Sequence, residues 1–138
     1  MAFTVRDWMM DLVVFVEPDS MVSETLATMR RRYIHSVIVN KTEDNQEYGI
    51  ITSYDISDKI VAQDNNPAVT KAREIMNSPV IVVRQEMPLK ECAQLMKENH
   101  IHHLPVVDRD ENIIGMISAT DFLVAAESIG HGPENPLT

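Results

Sequence analysis

The chain repeats its own pattern once. When its 138 residues are shifted by 67 positions, apolar and histidine positions coincide, and after a one-residue gap the offset becomes 66. A unit of this length buries its own sheet poorly, so we expect the two copies to pack together as one domain. The aligned pairs include Met9 with Met76, Val13 with Val80, Met29 with Met96, His35 with His102, Gly49 with Gly115, Thr52 with Ser118, and Asp55 with Asp121.

Local composition divides the chain into four segments. The repeats are predicted at residues 1–63 and 70–129. The connector at 64–69 reads DNNPAV, a polar stretch without hydrophobic period. The end at 130–138 holds two Gly and two Pro and is predicted to be a mobile tail.

Each copy has the same predicted order of elements. Short β-branched runs at 12–17 and 79–84 indicate strands, and apolar residues at helical spacing follow from Val22 and from Leu89. Two further strands are predicted in each copy, at 34–40 and 48–52 and at 101–108 and 112–118, with helices from Ser53 and Ala119. A short helical lead precedes each copy, at 5–10 and 71–77. The fold class is therefore α+β, built from two tandem pseudo-symmetric β-α-β-β-α repeats.

Charge and composition limit the function. The net charge of −9 argues against nucleic acid and against anionic membrane surfaces, since both are held by Lys and Arg. No apolar run reaches 18 residues and no leader pattern is seen, so we expect a cytoplasmic protein without a membrane span. Cys92 is the single cysteine and lies on an apolar helix face, which predicts a core residue rather than a nucleophile.

Two short signatures stand where a strand runs into a helix. Thr52 and Asp55, like Ser118 and Asp121, have the spacing of a helix capping box, which is a sufficient structural explanation. A carboxylate in the first helical turn can also accept two hydrogen bonds from the vicinal diol of a ribose. Capping and binding are compatible, so the spacing alone leaves both open. The glycine that opens each signature is predicted to permit a close approach of backbone.

The ordered set of motifs, present twice, resembles a cystathionine-β-synthase (CBS) domain pair, also called a Bateman module. The matching segments are MNSPVIVV, ECAQLM, IHHLPVVD and GMISATDF, and the resemblance spans residues 3–128 of what would be a stand-alone CBS-domain protein. It implies two copies packed sheet to sheet, modules that pair into a homodimer, and clefts that bind AMP, ADP, ATP or S-adenosylmethionine. A regulatory role such as energy sensing, exerted on an unknown effector protein, follows from the same resemblance.

The resemblance also assigns residues to two clefts. The first is preferred because it has the SPV strand entry and the HLPV wall that the family favours, whereas Asp11 in the second would repel a phosphate. The first cleft would join Thr52, Asp55, Asn77, Ser78, Pro79, His103, Leu104 and Pro105. The second would join Ser118, Asp121, Met10, Asp11, Leu12, Ser36 and Val37.

Other charged and metal-ligating residues have plainer interpretations. Lys59, one turn after Asp55, is interpreted as solvated on an exposed helix face, with an anion contact as the alternative. The HIHH run at 100–103 lacks the further ligands of a structural zinc site, so no metal and no cofactor is predicted. No nucleophile triad, Gly-rich phosphate loop or zinc-protease signature appears, so no enzyme is predicted. The alternatives to a ligand sensor are a constitutive dimerisation scaffold and, less favoured, a zinc-dependent hydrolase.

Overall fold

The computed structural model describes residues 3–44 and 46–131. It divides into two compact units. The first-repeat unit is Val13–Val80, and the second-repeat unit is formed by the described residues of Met1–Leu12 and Ile81–Thr138. These units are offset from the sequence repeats at 1–63 and 70–129, because the helical lead of each repeat packs with the body of the other.

Both units contain a β-α-β-β-α body and a short lead helix, which follows the body in the first-repeat unit and precedes it in the second. The first-repeat unit contains β1 (Phe15–Val16), α2 (Val22–Arg32), β2 (Ser36–Val39), β3 (Gly49–Thr52), α3 (Ser53–Asp55), a π-helical segment (Ile56–Val61) and α4 (Ala72–Ile75). The second-repeat unit contains α1 (Val5–Trp8), β4 (Val83–Arg84), α5 (Leu89–Asn99), β5 (His103–Val107), β6 (Ile113–Ser118) and α6 (Ala119–His131). The predicted α+β class is confirmed.

Each unit has one three-stranded sheet. In order β1-β2-β3, β1 runs parallel to β2 and β3 antiparallel to it, and β4-β5-β6 repeats this arrangement. The runs at 12–17 and 79–84 form only two-residue strands, because each pairs with its neighbour over two positions. The register places Thr52 opposite Ser36 and Ser118 opposite His103, at the strand ends from which the next helix begins.

Each unit has its own hydrophobic core, drawn from one face of the helices and one face of the sheet. Cys92 is fully buried in the second of these cores, as the sequence predicted. The first core contains Val22, Met29, Val37, Val39, Ile51, Ile60, Ala72 and Ile75. The second contains Val5, Val83, Leu89, Cys92, Met96, Leu104, Val106, Ile117 and Ala125.

The lead segments are attached to the sheets by backbone hydrogen bonds. After α1, Met10 pairs with Met116 of β6, and after α4, Asn77 pairs with Ile50 of β3. The glycines permit the lead segments to lie this close to the sheets: a Cβ on Gly49 would overlap Met76 Sδ, and one on Gly115 would lie 2.7 Å from the Met10 carbonyl oxygen. The close approach predicted for both glycines is thus made by the lead segment that pairs with each strand.

The C-terminal helix extends beyond its predicted end. α6 runs through His131, so the first two residues of the predicted 130–138 tail are helical. Residues 132–138 lie outside the described residues. Within the described part of the chain, none of the helices has the length and hydropathy needed to cross a membrane.

Candidate functional site

Asp55 is a buried carboxylate at the start of α3, with a relative exposure of 4%. The Thr52 N–H donates to Asp55 Oδ2 at 2.8 Å, and the Thr52 hydroxyl lies 3.1 Å from the same oxygen. In return the Asp55 N–H donates to Thr52 Oγ1 at 3.4 Å. The capping box predicted from the spacing is therefore formed.

Two further side chains reach the same carboxylate. Asn77 Nδ2 donates to Asp55 Oδ1 at 2.9 Å and lies 3.1 Å from Oδ2. Lys59 Nζ lies 3.3 Å from Asp55 Oδ1 and also donates to the Ile75 carbonyl at 2.8 Å and to Asn77 Oδ1 at 3.2 Å. The interpretation of Lys59 as a solvated residue was wrong: its side chain is 27% exposed and is held between Asp55, the last residue of α4 and Asn77.

These contacts occupy the Asp55 carboxylate. An ionised carboxylate offers about four lone-pair positions, and Oδ1 and Oδ2 together face Thr52, Asn77 and Lys59 at five donor contacts. The ammonium group of Lys59 also compensates the negative charge. A ribose diol would therefore have to displace one of the present donors before Asp55 could accept from it.

A π-helical segment brings Lys59 to this position. The Ala62 N–H donates to the Ser57 carbonyl, and the Asn65 N–H to the Ile60 carbonyl, each spanning five residues instead of four. In α6 the fourth residue after Asp121 is Ala125, which lies in the core. After Asp55 it is the fifth residue, Ile60, that lies in the core. The fourth residue, Lys59, lies outside the core and faces the carboxylate.

The matching signature in the second-repeat unit has simpler surroundings. The Ser118 N–H donates to Asp121 Oδ2 at 2.8 Å, and the Ser118 hydroxyl lies 3.2 Å from that oxygen and 2.8 Å from Thr120 Oγ1. Among the described residues no donor reaches Asp121 Oδ1. Met10, which occupies the place of Asn77 in the repeat, is exposed and has no polar side-chain atom able to donate.

The other predicted site residues fall into four groups. Ser78 and Pro79 are exposed and lie with Asp55 in the first-repeat unit, where Ser78 Oγ donates to the Tyr48 carbonyl at 2.9 Å. Asp11 and Leu12 are exposed beside Met10. The other two groups are His103, Leu104 and Pro105 on β5, and Ser36 and Val37 on β2.

Two of these residues point into a core. The side chains of Leu104 and Val37 are 0% and 1% exposed, so each offers a ligand only its backbone. The structure does bring Asn77 to Asp55, although these residues belong to different sequence repeats. That β5 completes the site of Asp55, or β2 that of Asp121, stays a prediction.

A cavity recurs at matching positions of the two units, away from these signatures. In the first-repeat unit it measures about 840 Å³ and is bordered by the end of α2 and the start of β2, with Leu26, Tyr33 and Ile56 among its walls. Its counterpart of about 370 Å³ is bordered by Met96, His100 and Phe122. None of the predicted site residues lines either cavity.

Metal-ligating residues do not converge in the described part of the chain. Within residues 3–44 and 46–131, no group of three or more His, Cys, Asp or Glu side chains is arranged to hold a metal ion. The HIHH run is divided between the end of α5 and the start of β5, with His100 in the left-handed conformation that ends the helix.

Both sequence repeats match a known protein domain. A family model described as the CBS domain matches residues 5–62 and 72–128. An uncharacterized protein of Methanopyrus kandleri is 36% identical over 111 residues, which is 80% of this chain and 56% of that protein. The chain spans between 23% and 56% of the length of three curated relatives.

Solved structures share the fold. The hexameric CBS-CP12 protein from bloom-forming cyanobacteria superposes with a TM-score of 0.86 at 26% identity, covering 94% of this chain and 74% of that one. The CBS domain pair of protein MJ0100, in complex with 5′-methylthioadenosine and S-adenosylmethionine, superposes with a TM-score of 0.78. Its identity is 24%, and the match covers 93% of this chain and all of the other.

Proposed function

The chain belongs to the CBS domain family, and on that premise we propose that it is a regulatory module that binds an adenosine-containing ligand. The ligand class comprises AMP, ADP, ATP and S-adenosylmethionine. The observation that carries the proposal is the repeated placement of a carboxylate, Asp55 and Asp121, in the first turn of the helix that follows a strand.

The chemistry of this placement suits a nucleoside. A carboxylate can accept from both hydroxyls of a ribose, and Asp121 Oδ1 is open to such donors in the described structure. The Thr52 and Ser118 hydroxyls stand three residues earlier, at the helix start, where the positive end of the helix dipole favours an anionic group. Asn77, Ser78 and Pro79 extend the site of Asp55, and Met10, Asp11 and Leu12 that of Asp121.

The comparisons support the ligand class. A protein of the same fold, MJ0100, holds 5′-methylthioadenosine and S-adenosylmethionine, so this fold accommodates adenosine compounds. The CBS-CP12 protein is hexameric, which supports assembly of this chain into oligomers, with a homodimer as the simplest.

Binding regulates only if it changes an equilibrium between two states. The ligand must favour one packing of the module over another, and an effector protein must read the difference. We propose no catalytic step, no cofactor and a cytoplasmic setting. A constitutive scaffold whose sites stay empty is the competing function, and the closed arrangement around Asp55 is the observation that favours it.

A thermal-shift panel tests the proposal. The wild-type chain is heated with AMP, ADP, ATP with and without magnesium, S-adenosylmethionine, NAD and GTP. A ligand at 100 times its dissociation constant stabilises the folded state by about 2.7 kcal/mol, which raises the Tm by several degrees in a domain of this size. A rise confined to adenosine compounds supports the sensor.

Two variants make the result specific. The double variant Asp55→Ala with Asp121→Ala is expected to lose the ligand-dependent rise. Asp58→Ala removes the same charge from an exposed position of the same helical segment and is expected to keep it. A flat panel for the wild-type chain contradicts the proposal and favours the scaffold.

A further inference from the structure

The two repeated signatures differ in the charge that surrounds them. Asp55 lies 3.3 Å from the ammonium nitrogen of Lys59 and is largely buried, so the pair is close to neutral. Asp121 has neutral side chains at the matching helix positions, Val124 and Ala125. Among the described residues no cation pairs with Asp121.

The lead segments reinforce this difference. Asn77 adds a second polar contact for Lys59 on the side of Asp55. At the matching place in the second-repeat unit, Met10 pairs with Met116 and is followed by Asp11, an exposed negative charge. Asp55 is therefore paired with a cation, whereas the helix position that matches Lys59 is the neutral Ala125 after Asp121.

We infer that Lys59 makes the Asp55 site select an adenosine ligand that carries phosphate, whereas the Asp121 site selects an uncharged or cationic one. The inference rests on the proposed function and adds to it a division of ligand classes between the two sites. Lys59 is the specificity-determining residue.

The selection at Asp55 follows from an exchange of partners. All the acceptor positions of Asp55 are used, so a diol must displace a donor, and Lys59 has the longest contact at 3.3 Å and the most flexible stem. A displaced ammonium group that is only partly exposed needs a new counter-ion. A phosphate on the same sugar supplies one, and an uncharged substituent does not.

The selection at Asp121 follows from the opposite arrangement. Oδ1 accepts from a diol without displacing any donor of the described residues. A phosphate brought to this place meets the negative charge of Asp121 without the lysine that accompanies Asp55, whereas a sulfonium is attracted by that charge. An uncharged 5′ substituent meets neither penalty.

The test compares two probes that share adenosine and differ at the 5′ position, AMP and 5′-methylthioadenosine. Calorimetry measures both dissociation constants in the full chain with Asp121→Asn, which leaves the Asp55 site, and with Asp55→Asn, which leaves the other. The first variant is expected to bind AMP at least about tenfold more tightly than 5′-methylthioadenosine, the effect of one hydrogen bond to a charged group. The second variant is expected to reverse the order.

Lys59 is then changed in the Asp121→Asn chain. Lys59→Met is expected to abolish the preference for AMP, and Lys59→Arg to keep it, because the charge is retained. Lys71→Met is the matched control: Lys71 belongs to the same unit and pairs with Asp19 at 3.8 Å. It should leave the ratio of the two constants unchanged.

The outcomes separate a failure of the inference about Lys59 from a failure of the proposed function. If adenosine compounds bind the wild-type chain but Lys59→Met retains the AMP preference, or Lys59→Arg loses it, the inference is wrong and the proposed function stands. If neither probe binds the wild-type chain, the proposed function fails, and the inference fails with it.

Discussion

Asn77 donates from one amide nitrogen to both oxygens of Asp55, at 2.9 Å and 3.1 Å. The two residues are 22 positions apart and belong to different sequence repeats, yet they lie in one compact unit. This bridge attaches the segment after α4 to the start of α3. The residue that leads into the second repeat thus helps to hold the candidate binding carboxylate of the first.

Replacing Asn77 tests how much this bridge stabilises the fold. Asn77→Ala leaves a buried carboxylate with two contacts fewer, and hydrogen bonds to charged groups contribute about 1.5–3 kcal/mol. We expect urea denaturation to show a loss of about 2 kcal/mol in the free energy of unfolding.

Met10→Ala is the matched control because Met10 occupies the same place in the other repeat and is 55% exposed. Its cost should stay below about 1 kcal/mol. Equal losses for the two variants would show that the Asn77 bridge adds nothing to stability.

The repeat offset predicted the order of elements well but not which segments pack together. The match of Met9 with Met76 shows that the two lead segments are equivalent. Because they are equivalent, the sequence cannot tell whether each lead packs with the body of its own repeat or with that of the other repeat. The exchange becomes visible only in long-range hydrogen bonds, such as that from the Val5 N–H to the Met87 carbonyl. Sequence periodicity carries no such pairing information.

Lys59 was missed for a related reason. Its spacing from Asp55 was noted, but the Ile75 carbonyl and Asn77 amide that hold it come from a segment distant in sequence. The π-helical segment was missed as well, because it moves a single core position by one residue, which is a weak signal in a segment of six residues. The sequence does contain a signal for the π-helical segment. The repeat offset of 66 aligns Ala125 with Lys59, whereas the apolar residue at this point of the first repeat is Ile60, one position later.

Thr25 and Cys92 occupy matching positions of α2 and α5, and both are fully buried. Thr25 Oγ1 has no hydrogen-bond partner among the described residues. A buried hydroxyl without a partner costs about 1–3 kcal/mol, so Thr25→Val is expected to raise the free energy of unfolding by about 1 kcal/mol. Chemical denaturation measures the change.

The reciprocal substitution provides the control. Cys92→Thr places a hydroxyl in the apolar core of the second-repeat unit and is expected to cost about 1–3 kcal/mol. If Thr25→Val destabilises the chain as much as Cys92→Thr does, the Thr25 hydroxyl has a partner after all.

The two glycines of the signatures should respond differently to alanine. At Gly115 the new Cβ would meet the Met10 carbonyl oxygen at 2.7 Å, which is backbone within a hydrogen-bonded bridge. At Gly49 it would meet only the Met76 side chain, whose Sδ and Cγ can rotate away, although its Cβ also lies at 3.1 Å. Gly115→Ala is therefore expected to cost about 1–3 kcal/mol and Gly49→Ala less. Thermal unfolding gives the Tm of both variants. A lower Tm for Gly49→Ala than for Gly115→Ala would contradict the close backbone approach at Gly115.

The Cys92 thiol links stability to alkaline pH. Burial raises the pKa of Cys92 from 9.0 to about 11. Between these values the unfolded chain has released a proton that the folded chain retains, so the unfolded state binds fewer protons and stability falls as pH rises above 9. Two pKa units correspond to about 2–3 kcal/mol.

Tyrosine and lysine side chains titrate in the same range, so the informative quantity is the difference in unfolding free energy between the wild-type chain and Cys92→Ala, measured by urea denaturation from pH 8 to 11. The cavity left by the alanine shifts the variant by a constant amount at every pH. The wild-type curve is expected to fall toward the variant's as pH rises, because only the wild-type chain must keep a thiol protonated in its core. Parallel curves would mean that Cys92 ionises as readily in the folded chain as in the unfolded one.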